Sequence, residues 1–139
     1  MHIRRYDDSD RSSVVALWEA AGLLHPNNDP FADIDRKTSD SPWGLIVMVD
    51  RDDIIGTVMV GYDGHRGWIN YLGCHPDHRR RGVATALMAE AQRLLIKRGC
   101  PKINLQVREG NEPAHRFYES LGYANDHVTS FGLRLAPDS

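Results

Sequence analysis

Cysteine, net charge and long apolar runs are all scarce in this sequence. Only Cys74 and Cys100 carry a thiol among 139 residues. They do not form a C-x-x-C pair, which excludes a disulfide framework and fits reduced thiols in a reducing compartment. No apolar stretch approaches the roughly 18 residues of a membrane-spanning helix. The start, Met1-His2-Ile3-Arg4-Arg5-Tyr6-Asp7-Asp8, lacks the apolar centre of a signal peptide. A cytoplasmic location with no membrane partner is the expectation. The formal net charge is −2, so no global positive field draws nucleic acid. Linkers, repeats and low-complexity segments are missing too, which leaves one domain over residues 1–139. At 41% hydrophobic and 26% charged residues, a chain of this length builds an ordinary core.

What is present is a regular alternation of elements. Residues 2–6 read as a short first strand. Asp8 or Ser9 caps a helix carrying Val14, Val15, Leu17, Trp18 and Ala21 at helical spacing, and Gly22 ends it. Asp29-Pro30 starts a second helix, a cap followed by proline in the first turn. Residues 45–49, 54–60 and 68–74 read as strands separated by turns at 51–53 and 62–67, and His75-Pro76 stops the third. Val83, Ala84, Leu87, Met88, Ala91, Leu94 and Leu95 form one apolar stripe of helical period. Lys97, Arg98 and Gly99 suit the C-terminal end of that helix. Residues 103–107 give another strand, Asn111 caps a fourth helix reaching Leu121, and 123–135 read as a final hairpin. The order β-α-α-β-β-β-α-β-α-β-β is that of an α/β (α+β) domain. Its mixed, mostly antiparallel sheet has about six to seven strands flanked by about four helices.

The loop before the long helix is Arg79-Arg80-Arg81-Gly82-Val83-Ala84-Thr85. A helix N-terminus offers unpaired N–H groups and partial positive charge, so a phosphate binds there without a dedicated side chain. Gly82 allows close approach, Ala84 is small, Thr85 adds a hydroxyl, and arginine suits phosphate geometry. The loop lacks the Lys-Ser/Thr of a triphosphate loop and the G-x-G-x-x-G of a dinucleotide site. By itself it is equally well a solvated basic loop.

The stretch Leu72-Gly73-Cys74-His75-Pro76-Asp77-His78-Arg79-Arg80-Arg81-Gly82-Val83-Ala84 resembles the R/Q-x-x-G-x-G/A signature of the GNAT (GCN5-related) acetyltransferases. A second stretch, Asn111-Glu112-Pro113-Ala114-His115-Arg116-Phe117-Tyr118-Glu119-Ser120-Leu121-Gly122-Tyr123, is similar to that family's N-x-x-A-x-x-F-Y-x-x-L-G-F/Y. The two stand in the family's order and spacing. Asn28-Asp29-Pro30, Asp33-Ile34-Asp35-Arg36-Lys37, residues 61–67 and Arg98-Gly99-Cys100-Pro101-Lys102-Ile103 look closest to the YpeA-type bacterial members.

The resemblance implies acetyl transfer from acetyl-CoA to a primary amine, directly within a ternary complex and without a metal. The acceptor is a small molecule or a peptide N-terminus. It places the pantetheine arm beside Leu72, Gly73 and Cys74, with the Leu72 N–H polarising the thioester carbonyl. The pyrophosphate falls on Arg79, Arg80, Arg81, Gly82, Val83, Ala84 and Thr85. Asn111, Phe117 and Tyr118 complete the cofactor side, and Tyr118 is the implied general acid. Asn111 is equally a plain cap, and Tyr118 equally a half-buried aromatic. Where histone-acetylating members carry a glutamate base, this sequence has Trp68, so the proton acceptor departs from the pattern. Asp63, His65, Glu112, Asp29 and Asp33 are the candidates, with His65 favoured for its intrinsic pKa, although Asp63-Gly64-His65 is also ordinary turn chemistry. The acceptor wall is expected from Asn28, Asp29, Asp33, Asp63 and Trp68. A homodimer is within what the resemblance implies. The competing reading is a CoA-binding sensor or interaction module that retains the cofactor grip without turnover.

Overall fold

The computed structural model describes residues 1–137. Its centre is a five-stranded sheet in the order β1-β2-β3-β4-β5. The strands are β1 (His2–Arg5), β2 (Leu45–Asp50), β3 (Asp53–Tyr62), β4 (Gly67–Cys74) and β5 (Ile103–Leu105). All neighbours pair antiparallel except β4 and β5, which run parallel. Four helices flank the sheet: α1 (Arg11–Ala20), α2 (Pro30–Asp40), α3 (Val83–Lys97) and α4 (Glu112–Ser120).

Both faces of the sheet are covered, which explains the unbroken apolar run of β2. Successive side chains point to opposite faces. Leu45, Val47 and Val49 pack with Trp18 and Val14 of α1 and Ile34 of α2. Ile46 and Met48 pack with Val83, Leu87, Met88, Ala91 and Leu95 of α3. Burying a side chain such as Leu87 contributes on the order of 1.5–3 kcal/mol. At Gly56 of β3, a Cβ would lie 2.6 Å from Val83 Cγ1, so the glycine sets how closely α3 sits on the sheet.

Two expectations change. The first helix is entered through a 3-10 turn, Asp8–Asp10, capped by Asp7 rather than Asp8 or Ser9. Asp7 accepts from the Ser9 N–H at 3.0 Å, and Asp10 accepts from the Asp7 N–H at 2.9 Å, a reciprocal box. The hairpin expected at 123–135 is absent among the described residues: the segment joins no ladder, and the sheet has five strands rather than six or seven. Alternating apolar residues suit a half-buried strand, but a ladder also needs a neighbouring edge in hydrogen-bonding range.

Candidate active site

The site lies where β4 and β5 separate. Their ladder covers only Gly67, Trp68 and Ile69 on β4. Beyond Ile69 the edge of β4 that faced β5 is unpaired by that strand, and a cleft of about 780 Å³ opens. Leu72, Val107, Asn111, Ala114 and Tyr118 line one side, while Leu23, His25, Asn28, Asp33 and Arg36 line the other.

β4 is also bulged at this point. Thr57 of β3 pairs with Gly73 and Met59 with Asn70, so Tyr71 and Leu72 together oppose one residue, Val58. Tyr71 takes φ +49°, unusual for a residue with a side chain. Three contacts hold it there. Its ring stacks on Trp18 with centroids 3.7 Å apart and planes 9° apart. Its hydroxyl donates to Asp33 at 2.6 Å, and its carbonyl accepts from the Thr57 hydroxyl at 2.9 Å. Thr57 is fully buried and accepts in turn from the Trp18 indole N–H at 2.9 Å. In a planar trans peptide the carbonyl and the following N–H point opposite ways. Fixing the Tyr71 carbonyl toward Thr57 therefore turns the Leu72 N–H away from β3. Burial and the Asp33 carboxylate both push the Tyr71 phenol pKa up, so it stays a donor.

After β4, the loop reaches α3 through Arg80 at φ +64° and Gly82 at φ +76°. A Cβ on Gly82 would meet nothing within 4 Å, so backbone conformation rather than space calls for glycine. Gly82 is the cap residue and supplies no side-chain cap. The Ala86 N–H is bonded to the Gly82 carbonyl, leaving the N–H groups of Val83, Ala84 and Thr85 for an anion. The three arginines are not equivalent. All three are exposed on the loop, but Arg81 pairs with Asp50 at 2.9 Å and contacts His78 Nδ1 at 2.6 Å. Burial pushes the Cys74 thiol up, against a smaller opposing pull from Arg79 and Arg81. That keeps it a thiol, a poor nucleophile.

The other wall comes from α4. Asn111 caps it, accepting from the Ala114 N–H at 3.3 Å. Phe117 and Tyr118 meet edge to face at 5.1 Å, and Tyr118 meets Tyr123 likewise at 5.8 Å. Burial first, and Tyr123 second, push the Tyr118 phenol up to about 12. Its proton is in place across the neutral range.

Of the residues expected to form the acceptor wall, Asn28 and Asp33 line the cleft while Asp29, Asp63 and Trp68 do not. Of the five candidate bases, Asp33 alone lines the cleft. Asp63 sits in the β3–β4 turn, where its carboxylate accepts from the Arg66, His65 and Trp68 N–H groups. These bonds hold it at about 2, so it is a weak proton acceptor. His65 lies in the same turn, beside Arg66, and neither it nor Trp68 lines the cleft. Asp29 caps α2 through the Phe31 and Ala32 N–H groups, and Glu112 stands in the first turn of α4. Asn28 does line the cleft, and Asp33 and Asp40 share it with Arg36, Lys37 and Arg108.

Residues 11–123 match the description "Acetyltransferase (GNAT) family". The chain belongs to that family. Over 138 residues this GNAT chain is 46% identical to an acetyltransferase of Pectobacterium atrosepticum, covering 99% of the chain and 98% of the relative. It matches an acetyltransferase of Yersinia pestis at the same identity and coverage. Among solved structures it is similar to the aminoglycoside acetyltransferase AAC(6')-Iy bound to a bisubstrate analogue (TM-score 0.79, 18% identity, 97% of this chain and 98% of that one). It is also similar to the ribosomal-protein-S18-alanine N-acetyltransferase of Escherichia coli (TM-score 0.74, 19% identity, 87% and 76%). At these identities the structures show a shared fold.

Several residues that shape this GNAT cleft carry no sequence signal. Tyr71 reads as one more strand aromatic, and Thr57 and Trp18 read as core. Lys37 is tucked under the sheet edge, donating to the Val60 carbonyl and to Ser41 Oγ at 2.8 Å with Trp43 beneath it. Burial lowers its pKa. Only the tertiary pairing of β3 with β4 makes these roles visible.

Proposed function

We propose that residues 1–139 form one acetyltransferase domain that moves an acetyl group from acetyl-CoA to a primary amine by direct attack in a ternary complex. The observation that carries this reading is the convergence on one cleft of the Leu72 N–H, turned out by the bulge, and the protonated Tyr118. The acetyl-CoA pyrophosphate rests on the α3 N-terminus with Arg79 and Arg80. The pantetheine arm follows Leu72, Gly73 and Cys74 past Asn111. The amine attacks the thioester carbonyl, the Leu72 N–H stabilises the developing oxyanion, and Tyr118 protonates the departing CoA thiolate. The raised Cys74 thiol favours direct transfer over an acylated cysteine.

An alkylammonium is overwhelmingly protonated at neutral pH, so its proton needs an acceptor. We assign this to Asp33, directly or through water, in place of His65. Asp33 lines the cleft and bonds the residue next to Leu72. Asn28 contributes to the acceptor wall. The mixed charges of Asp33, Asp40, Arg36 and Arg108 favour an acceptor bearing an anionic group beside its amine, such as an amino acid or peptide, over a polycation. No helix among the described residues is long and apolar enough to cross a membrane, and the free Cys74 and Cys100 suit a cytoplasmic setting. The reading includes a homodimer, supported by large apolar side chains left in solvent near residue 131.

Calorimetry with acetyl-CoA, followed by mass spectrometry of amino acid, peptide and polyamine mixtures incubated with it, tests the reading. Binding and an acetylated amine are the expected results. Binding with no acetylated product from any mixture would favour the sensor.

A further inference from the structure

The end of α4 is a helix stop that folds the chain back over its own last turn. Gly122 takes φ +93°, a left-handed conformation that glycine adopts without penalty. The Gly122 N–H donates to the Glu119 carbonyl at 3.0 Å, and the Tyr123 N–H donates to the Tyr118 carbonyl at 3.0 Å. This pair of bonds sets the residue after the glycine against the last full turn, and an apolar contact there commonly completes the stop. Here the contact joins Tyr123 to Tyr118, whose rings meet edge to face at 5.8 Å.

That contact needs only a ring, so phenylalanine at position 123 would close the stop equally well. The Tyr123 hydroxyl has a separate partner, accepting from Gln92 Nε2 of α3 at 3.1 Å. Among the described residues no hydrogen bond reaches the Tyr118 hydroxyl. Ring neighbours hold Tyr118 instead, Phe117 at 5.1 Å and Tyr123 at 5.8 Å. Phe117 belongs to the same helix and moves with it. Tyr123 is tied to α3, the helix whose N-terminus offers its N–H groups to an anion. The Gln92–Tyr123 bond therefore fixes Tyr118 relative to α3 and not to α4 alone.

We infer that Tyr123, held by Gln92, is a positioning residue that sets where the Tyr118 phenol stands against the thioester sulfur. The inference rests on the acid role proposed for Tyr118. A general acid must stand within hydrogen-bond reach of the atom it protonates, and a misplacement of about 1 Å can cost about 10²-fold in rate. Tyr118 lines the cleft and Tyr123 does not, so Tyr123 acts through Tyr118 and gives up no proton of its own.

Tyr123→Phe and Gln92→Leu each remove the hydrogen bond and keep the packing, and circular dichroism and melting should show both variants folded. In each, kcat for amine acetylation should fall about ten-fold, a partial misplacement, with the KM for acetyl-CoA unchanged. In a Tyr118→Phe background neither substitution should lower kcat further, because no phenol remains to be placed. Unchanged kcat in both single variants overturns the inference. An equal fall in the Tyr118→Phe background makes Tyr123 a structural residue and overturns it too. Wild-type kcat in Tyr118→Phe alone removes the acid role and the inference with it. Magnetic resonance of protein labelled in its tyrosine rings reads the placement without turnover. Gln92→Leu should shift and broaden the Tyr118 ring signals, and unchanged signals overturn the inference even if no amine is acetylated.

Discussion

The Thr57 hydroxyl donates to the Tyr71 carbonyl at 2.9 Å from a fully buried position on the neighbouring strand. This bond fixes which way the peptide between Tyr71 and Leu72 faces. Thr57→Val keeps the shape and removes the hydroxyl, freeing that peptide to rotate. The expected outcome is a fall in kcat of about 10²-fold, the low end for losing an oxyanion donor, with acetyl-CoA affinity little changed. Thr57→Ser restores most of the rate. Steady-state kinetics of both variants check this; equal loss in the two would reduce Thr57 to a packing residue.

Asp33 accepts from the Tyr71 hydroxyl at 2.6 Å and from Arg36 at 2.9 Å, and it faces the cleft. Asp33→Asn should lower kcat/KM at pH 7 by about 10²-fold, the scale of general-base catalysis. The deficit should shrink as pH rises toward the amine's own pKa of about 10.4, where free amine no longer needs a base. His25→Asn, in the same cleft, should change little. A pH–rate series on both variants decides it, and the reverse pattern would move the role to His25.

The loop arginines should separate by their partners. Arg79→Ala and Arg80→Ala each weaken acetyl-CoA binding by about ten-fold, the low end for a charge-assisted hydrogen bond. Arg81→Ala costs less binding, since Arg81 is already paired with Asp50. The Arg79 and Arg80 contributions should fall with added salt because these side chains are exposed. Calorimetry at two ionic strengths measures both effects.

Gly56→Ala should destabilise the protein by about 1–3 kcal/mol, the usual cost of overpacking. The added Cβ lies 2.6 Å from Val83 Cγ1 and 3.0 Å from Leu87 Cδ1, pushing the N-terminal half of α3 off the sheet. Thermal melts with and without acetyl-CoA check this.

Much of the fold was legible because it rests on local patterns. The α3 stripe and the Asp29-Pro30 start of α2 follow from periodicity and capping, and residues 45–49 read as a strand from their apolar run. The 123–135 hairpin was not, because its alternation describes a strand without saying where its ladder partner is. On the site, Arg79 to Thr85, Asn111 and Tyr118 sit on motifs of fixed spacing and could be located directly. Tyr71 could not: a positive φ at a tyrosine arises from Trp18, Thr57 and Asp33, each distant in sequence. His65 and Asp63 have the chemistry of proton acceptors, but three N–H groups bind Asp63 into a turn.

The central claim is that this cleft joins acetyl-CoA to an amine with Tyr118 supplying the leaving-group proton. Its most direct test is amine-dependent thiol release from acetyl-CoA, followed from pH 6 to 10 in wild type and Tyr118→Phe. With the Tyr118 phenol pushed up to about 12, the wild-type rate should climb as the amine loses its proton and show no decline from Tyr118 across this range. The variant should run about 10²-fold slower with acetyl-CoA binding retained. Amine-dependent release at the same rate in both proteins, or none in wild type, would contradict the account.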